Sequence, residues 1–519
     1  MLRIINLRAE LDDTTTQIEK KLQKKLGTKV NSVKIIKRAI DARKKTDVHY
    51  ILSVDADVEK EEYILRKNLP NVSITKTEKY VFPISEHRGK RPLIVGTGPA
   101  GLFCALYLSR AGFCPIVIER GADVDSRTKA VESYWSGGRL DEKTNVQFGE
   151  GGAGTFSDGK LNTGTKDIRI RAVLEEFVAH GAKEDILINN KPHIGTDILR
   201  NVVKSIRAEI IKNGGEVRFL TKLTDIKEEG GQVVGAVAEG PEGIYEIETD
   251  KIVLAIGHSA RDTFEMLKKR GVKMEQKPFS IGARIEHSQE FISSAMYGNS
   301  ANELPPADYK LAVHLENGRS LYSFCMCPGG YVVASASEKN TIVTNGMSYS
   351  DRSGRNANSA LLVNVTPKDF ASDDPLAGVY LQREIERQAY IAGEGKAPSE
   401  TVGSFLGRTK ANAPTSVIPT YRPDVTFTNL DLVLPEFIVS SMREGLILMD
   451  KRIHGFASDD AILTAPETRS SSPVRLVRND NLQLSVKGLF TAGEGGGHAG
   501  GITSSAVDGI KAAEAVAKL

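Results

Sequence analysis

The sequence predicts an α/β chain in three parts: an N-terminal ferredoxin-like βαββαβ domain, a dinucleotide-binding Rossmann domain, and a mixed α+β domain inserted into the second. Three observations predict it. A glycine-rich turn, Gly96-Thr97-Gly98-Pro99-Ala100-Gly101, stands between a short apolar strand and a helix. The first 80 residues read as strands and helices in the order βαββαβ. A second apolar strand ending on glycine, Leu489-Phe490-Thr491-Ala492-Gly493, returns near the C-terminus after a long stretch with no repeat period.

With 519 residues, 40% hydrophobic and 26% charged, the chain can build several ordinary cores. Its start turns polar too soon for a signal-peptide apolar core, and no apolar run approaches the roughly 18 residues of a membrane span. A cytoplasmic protein with no membrane partner is expected. Four cysteines are too few for a disulfide framework and lack paired zinc spacing, so no metal is expected. The net charge of +3 is uneven: residues 1–90 carry 20 Lys and Arg against 13 Asp and Glu, so that segment is +7 and the remainder −4. Such asymmetry marks either a solvated surface or a module with an anionic partner.

In the N-terminal part, Leu2–Leu7 reads as a strand, and Ile18, Leu22 and Leu26 give Asp13–Leu26 a helical stripe closed by Gly27. Val30–Ile40 and His49–Val54 read as paired strands, Glu59–Asn68 as a short helix stopped by Pro70, and Val72–Val81 as the last strand. Tyr50 is the one aromatic on the third strand, too few for an RNA-binding sheet, and nucleic acid is not the expected partner. Pro83–Pro92 is a polar linker. The expected domains are 1–85, then 91–272 together with 466–519, with 273–465 inserted between them.

Leu93-Ile94-Val95 leads into the glycine turn, and Ala100–Arg110 is its helix. Ile116-Val117-Ile118 completes a βαβ unit ending at Glu119 and Arg120. Gly96 permits the tight turn, Gly98 lets backbone approach a pyrophosphate together with Pro99 and Ala100, and Gly101 lets helix and strand pack closely. The helix N-terminus offers unpaired N–H groups to phosphate, and Glu119 can accept from ribose hydroxyls. Farther on, Asp197–Asn213 reads as an amphipathic helix, followed by strands near Val217–Leu220, Leu223–Glu228, Val233–Glu239, Tyr245–Glu248 and Ile252–Ile256. The last helix is Thr503–Leu519.

Three segments go beyond the fingerprint: the strand Ile252–Ile256 ending at Gly257, the segment Gly488–Glu494 with its glycine run to Gly501, and the glycine-dense Gln147–Lys160. They resemble the FAD-binding flavoproteins related to glutathione reductase. The resemblance implies that Gly493 and Glu494 contact the ribitol-phosphate region. It implies that Gly501 and Ile502 open a helix towards the flavin pyrimidine edge, and that Gly152, Gly154 and Thr155 lie along the ring. Over nearly its full length the chain is also similar to an uncharacterised family of bacterial FAD-dependent (NAD(FAD)-utilizing) dehydrogenases. The strings carrying that likeness are Gly149–Lys160, Ser323–Gly330, Pro466–Arg475 and Gly493–Ser505. That family brings a fold and non-covalent FAD, and no assigned substrate.

Catalytic candidates are Cys325 and Cys327, two apart in an expected strand and so on one face, and His498 beside the expected flavin. For the cysteines, a dithiol–flavin relay and ordinary core packing both remain open. For His498, proton donation and loop capping remain open. Arg469 and Arg475 could hold an anion, and Arg284 and His287 could face the cleft. No second fingerprint provides a dedicated nicotinamide domain, so NAD(P)H is expected at most as a transient electron donor. The expected function is hydride transfer between flavin N5 and a small organic substrate. The alternative is a flavoprotein that docks on RNA or a protein through its basic N-terminal domain. The oligomeric state is not legible.

Overall fold

The computed structural model describes residues 1–76, 78–83, 89–410 and 412–519. The N-terminal unit runs β1 (Leu2–Ala9), α1 (Thr15–Leu26), β2 (Val30–Asp41), β3 (His49–Val58), α2 (Glu61–Arg66) and β4 (Val72–Ile74). Its strands pair antiparallel in the order β2-β3-β1-β4. Ile18, Leu22 and Leu26 of α1 close a small core with Leu2, Ile4, Leu52, Val54 and Ala56. Thr14 and Gln17 start α1 with a reciprocal capping box, and Gly27 ends it at φ 69°.

The last strand is shorter than the alternation over Val72–Val81 suggests, and Thr77 lies outside the described residues. Tyr80 and Phe82 instead pack on Tyr107, at ring distances of 5.9 and 5.5 Å, and Tyr80 donates to Glu514 at 2.6 Å. Both rings are partly buried against the core around α3. Residues 84–88 of the expected linker also lie outside the described residues. The basic unit leans on the rest of the chain: Arg38 donates its backbone N–H to Ile188 at 2.7 Å and accepts from Asn190 at 2.9 Å. Tyr50 packs against the core of the large sheet under the Arg38 guanidinium.

A parallel five-stranded sheet follows. It contains β5 (Leu93–Val95), β6 (Ile116–Ile118) and the strands Glu216–Arg218, Ile252–Leu254 and Leu489–Thr491. Leu489–Thr491 lies at one edge, beside Ile252–Leu254, then β5, β6 and Glu216–Arg218. A strand from near the C-terminus thus completes a sheet begun at residue 93. The helix α3 (Pro99–Arg110) and the final helix Ile502–Ala517 pack on it so tightly that a Cβ on Gly509 would stand 2.1 Å from Ala100 O. Three antiparallel strands between Lys222 and Glu248 form a separate flap.

Residues between these halves build a second large sheet around Phe279–Ser288, flanked by Asn356–Val365 and Ile462–Glu467. Phe279–Ser288 is buried at nearly every position, as a strand covered on both faces must be. Within it the structure corrects one expectation. Arg284 and His287 do not face the cleft; both are buried inside the domain. Arg284 pairs with Glu467 at 2.9 Å. His287 Nε2 donates to Phe456 O at 2.7 Å, so Nε2 carries the proton, and Nδ1 is buried without a partner. No helix among the described residues is long and apolar enough to cross a membrane.

Burial pushes His287 down to about 4, so the folded protein holds it neutral where the unfolded chain binds a proton. A depressed histidine contributes full stability above its unfolded value and loses it as pH falls towards the folded one. Between pH ~6.5 and ~4 the protein should lose about 3 kcal/mol through this group alone. Urea unfolding across that range should show the loss in the wild type and a flatter profile in His287→Asn.

Candidate active site

The carboxyl ends of four parallel strands, β5, β6, Ile252–Leu254 and Leu489–Thr491, open into one cleft of about 540 Å³ whose opposite wall is the large sheet. That is where an open α/β sheet binds ligands, and the volume is that of a ligand pocket. Gly96, Gly98, Pro99, Ala100, Glu119, Arg120, Gly152, Gly154, Gly257, Glu494, Gly501, Ile502 and Cys325 all line it. Residues nearly 400 positions apart meet here because the chain closes its first sheet with its last strand.

The turn is held by a carboxylate. Glu119, at the end of β6, accepts from Thr97 N at 2.9 Å and Thr97 Oγ1 at 2.8 Å on one oxygen. Its other oxygen accepts from Gly121 N and Gly149 N, each at 3.0 Å. A carboxylate has about four acceptor directions, so a ribose hydroxyl must share or replace one of these bonds. Arg120 lies over Phe148 at 4.3 Å and pairs with Asp262 at 2.8 Å. The glycine-dense segment is pinned from behind by Arg127, which no sequence motif marked. This buried guanidinium donates to the carbonyls of Asn145, Val146, Gly149 and Glu150 at 2.5–3.1 Å.

Gly101 stands behind the lining, where a Cβ would meet Gly96 O at 1.9 Å. Gly493 packs on α3, its Cβ position 2.8 Å from Ala100 Cβ. Thr155 is buried beneath the loop, its hydroxyl turned to Glu150 O at 3.5 Å. His498 is outside the lining, and its Nε2 bonds Leu476 O at 2.8 Å, which ties the glycine run to a strand. Arg469 reaches the cleft but is spent on Glu386 at 2.9 Å and Ser259 at 3.1 Å. Arg475 is exposed on its strand. Lys160, Tyr322, Phe324 and Asn345 line the inner end. Lys160 and Phe324 fall within the strings Gly149–Lys160 and Ser323–Gly330 that carry the family likeness, whereas nothing in the sequence marked Tyr322 or Asn345.

The cysteines depart from strand alternation. Cys325 takes φ 45°, and the pairing with Asn356–Val365 shifts register on both sides of Cys327. This bulge turns Cys325 to the cleft, leaving Cys327 fully buried with its thiol donating to Cys325 O at 3.2 Å.

The residues fit FAD. Gly98 and Gly501 cap α3 and the final helix with no side chain, leaving both N-termini to the cleft. A Cβ on Gly98 would meet nothing of the protein closer than Gly152 Cα at 3.8 Å, so the wall there is bare backbone facing ligand space. Glu494 adds a carboxylate to the same cleft.

These features define a flavoprotein. Family models agree: "FAD-dependent protein, C-terminal domain-like" matches residues 278–470, an NAD(P)-binding Rossmann-like domain matches 94–145, and a domain of unknown function matches 1–57. An uncharacterized protein of Clostridium beijerinckii is 48% identical over 99% of this chain and 98% of its own length. Aklavinone 12-hydroxylase RdmE of Streptomyces purpurascens is 27% identical over 32% of each chain. The FAD complex of glycerol-3-phosphate dehydrogenase from Bacillus halodurans is 12% identical, with a TM-score of 0.35, over 84% of this chain and 65% of that one. The chain belongs to the family of the Clostridium protein, a family of FAD-dependent flavoproteins, and FAD is its cofactor.

Gly98→Ala separates fold from site. The added methyl clashes with no protein atom yet occupies the pyrophosphate approach. Its melting temperature without flavin should match the wild type, while FAD retention, read from the ratio of absorbance at about 450 nm to 280 nm, should fall about tenfold or more, roughly 1.4 kcal/mol.

Proposed function

We propose that the protein is a dehydrogenase or reductase in which non-covalent FAD, bound along the cleft, exchanges a hydride at N5 with a small organic substrate held at the inner end. One observation carries the reading: a single continuous cleft joins the glycine turn to a polar inner end containing Lys160 and Asn345. The proposed domains are a ferredoxin-like unit over 1–85, a glutathione-reductase-like FAD domain over 91–272 and 466–519, and a substrate domain over 273–465.

The chain's own residues do the rest of the work. The α3 N-terminus faces the pyrophosphate and Glu494 the ribitol. The N-terminus at Ile502 favours negative charge on the far edge of the ring. Lys160 orients a substrate oxygen: its nearest carboxylate, Asp158, is 4.0 Å away and already bonded twice by Arg352, at 2.6 and 3.1 Å. Tyr322, anchored on Ser280 at 2.7 Å, and the half-exposed Phe324 restrict water at the inner end.

Anaerobic addition of NADH and then NADPH to the yellow protein tests the electron source. Rapid bleaching by one nucleotide identifies a nicotinamide donor binding transiently over the ring. Slow or absent bleaching with both, together with bleaching by a metabolite, identifies the substrate as reductant. Lys160→Met should slow bleaching by an anionic or carbonyl reductant about a hundredfold while FAD retention is unchanged. Loss of FAD from that variant would contradict the assignment of Lys160 to the substrate.

A further inference from the structure

We propose that Cys325 and Cys327 are a redox-active dithiol that exchanges an electron pair with the bound flavin, with Cys325 as the sulfur presented to the cleft. The inference rests on FAD occupying the cleft and not on the identity of the organic substrate.

The geometry is unusual for two structural cysteines. A non-glycine residue at φ 45° inside a sheet is held against its preference. Here the strain turns Cys325 out of the alternation, into the same cleft as Gly154, Lys160 and Ile502. The bulge also keeps the second sulfur near: the Cys327 thiol reaches the Cys325 carbonyl at 3.2 Å. Gly330 makes the fold of the strand possible, because a Cβ there would stand 2.9 Å from Cys327 Cβ and 2.5 Å from Met347 O.

The surroundings favour one thiolate. Arg284, fully buried, places Nη1 3.3 Å from Cys325 O and 3.9 Å from Cys327 Sγ. It is fixed there by Glu467 at 2.9 Å and Asn358 at 2.6 Å. The hydrogen bond from Cys327, with Lys160 and Arg284 nearby, draws Cys325 below the ordinary thiol range, while Cys327 is pushed well above it and keeps its proton. Of the pair, Cys325 is thus the one favoured as thiolate, the asymmetry that a dithiol needs to open and close a disulfide. Cys104, whose thiol is pushed up by burial in α3, has none of these features.

The step balances. The Cys325 thiolate and the Cys327 thiol become a disulfide: an S–S bond forms and the Cys327 S–H bond breaks. Two electrons and that proton pass to oxidised FAD, giving the singly protonated, anionic reduced flavin. Reduction runs the same path backwards, so the holoenzyme stores two electron pairs instead of one.

The test is anaerobic titration of the air-oxidised holoenzyme with dithionite, with aliquots quenched in acid, alkylated and weighed by mass spectrometry. In the wild type, complete bleaching at about 450 nm should consume two two-electron equivalents, and alkylatable thiols should rise from two, Cys104 and Cys114, to all four. Cys325→Ser and Cys327→Ser should each bleach with one equivalent and show three thiols throughout. The Cys325 variant changes a cleft-wall residue, so it keeps the test available if the buried Cys327 variant folds poorly. Four alkylatable thiols in the air-oxidised wild type, with bleaching complete at one equivalent, overturn the proposal. The electrons come from dithionite, so failure of every nicotinamide or metabolite to bleach the protein is a different result and leaves this one standing.

Discussion

One buried carboxylate organises the dinucleotide end of the molecule. Glu119 accepts four hydrogen bonds from three separate stretches of chain: the glycine turn, the backbone just beyond its own strand, and the glycine-dense segment. Each of those N–H or O–H groups would otherwise be an unsatisfied buried donor, costing about 1–3 kcal/mol apiece. Satisfying them with one acceptor fixes Thr97 relative to Gly149 without a bulky side chain on the cleft wall. Gly151 N adds a bond to Thr97 O at 2.9 Å, so the two glycine segments are laced to each other as well. Arg127 completes the frame from behind, spending its donors on carbonyls rather than on a carboxylate. That explains why burial pushes it down to about 10.

The inner end depends on a second buried charge cluster. Glu386, on the helix Ala377–Ala392 of the inserted domain, lies between Arg261 at 2.8 Å and Arg469 at 2.9 Å. Arg261 begins the helix after Ile252–Leu254, while Arg469 follows the strand Ile462–Glu467. The two guanidinium groups hold the Glu386 carboxyl down at about 2 despite complete burial. Such a pair gains little over apolar packing but is costly to break. Its value is positional: Arg469 also reaches Ser259, which bonds Gln147, so the cluster sets the distance between the sheets across the cleft.

What was legible in the sequence follows from how local each signal is. The glycine fingerprint, the Gly27 stop of α1 and the returning strand near Leu489 are encoded within a few residues, and the structure contains each of them. The end of the N-terminal unit was not legible, because Tyr80 and Phe82 answer to Tyr107 on α3, in another domain. Alternation also misplaced the cysteines: a period of two assumes an unbroken strand, and the bulge at Cys325 breaks it. Arg284 and His287 read as cleft residues because polar side chains are usually exposed. Here one has a carboxylate and the other a carbonyl to receive it inside the sheet.

The two clusters divide the cleft chemically. At the outer end the fixed groups are backbone donors and helix N-termini, which suit phosphate oxygens and change little with pH. At the inner end stand Lys160, the cysteine pair and, behind them, Arg284, whose charge Glu467 neutralises. The two ends of the cavity differ in construction: the outer end is built on the parallel sheet, and the inner end brings the inserted sheet against Lys160 at the close of the glycine-dense segment. The same division explains why glycines crowd the parallel-sheet wall while Tyr322, Phe324, Cys325 and Asn345 face them from the inserted one. Backbone approach is the requirement in the first place, and side-chain chemistry in the second.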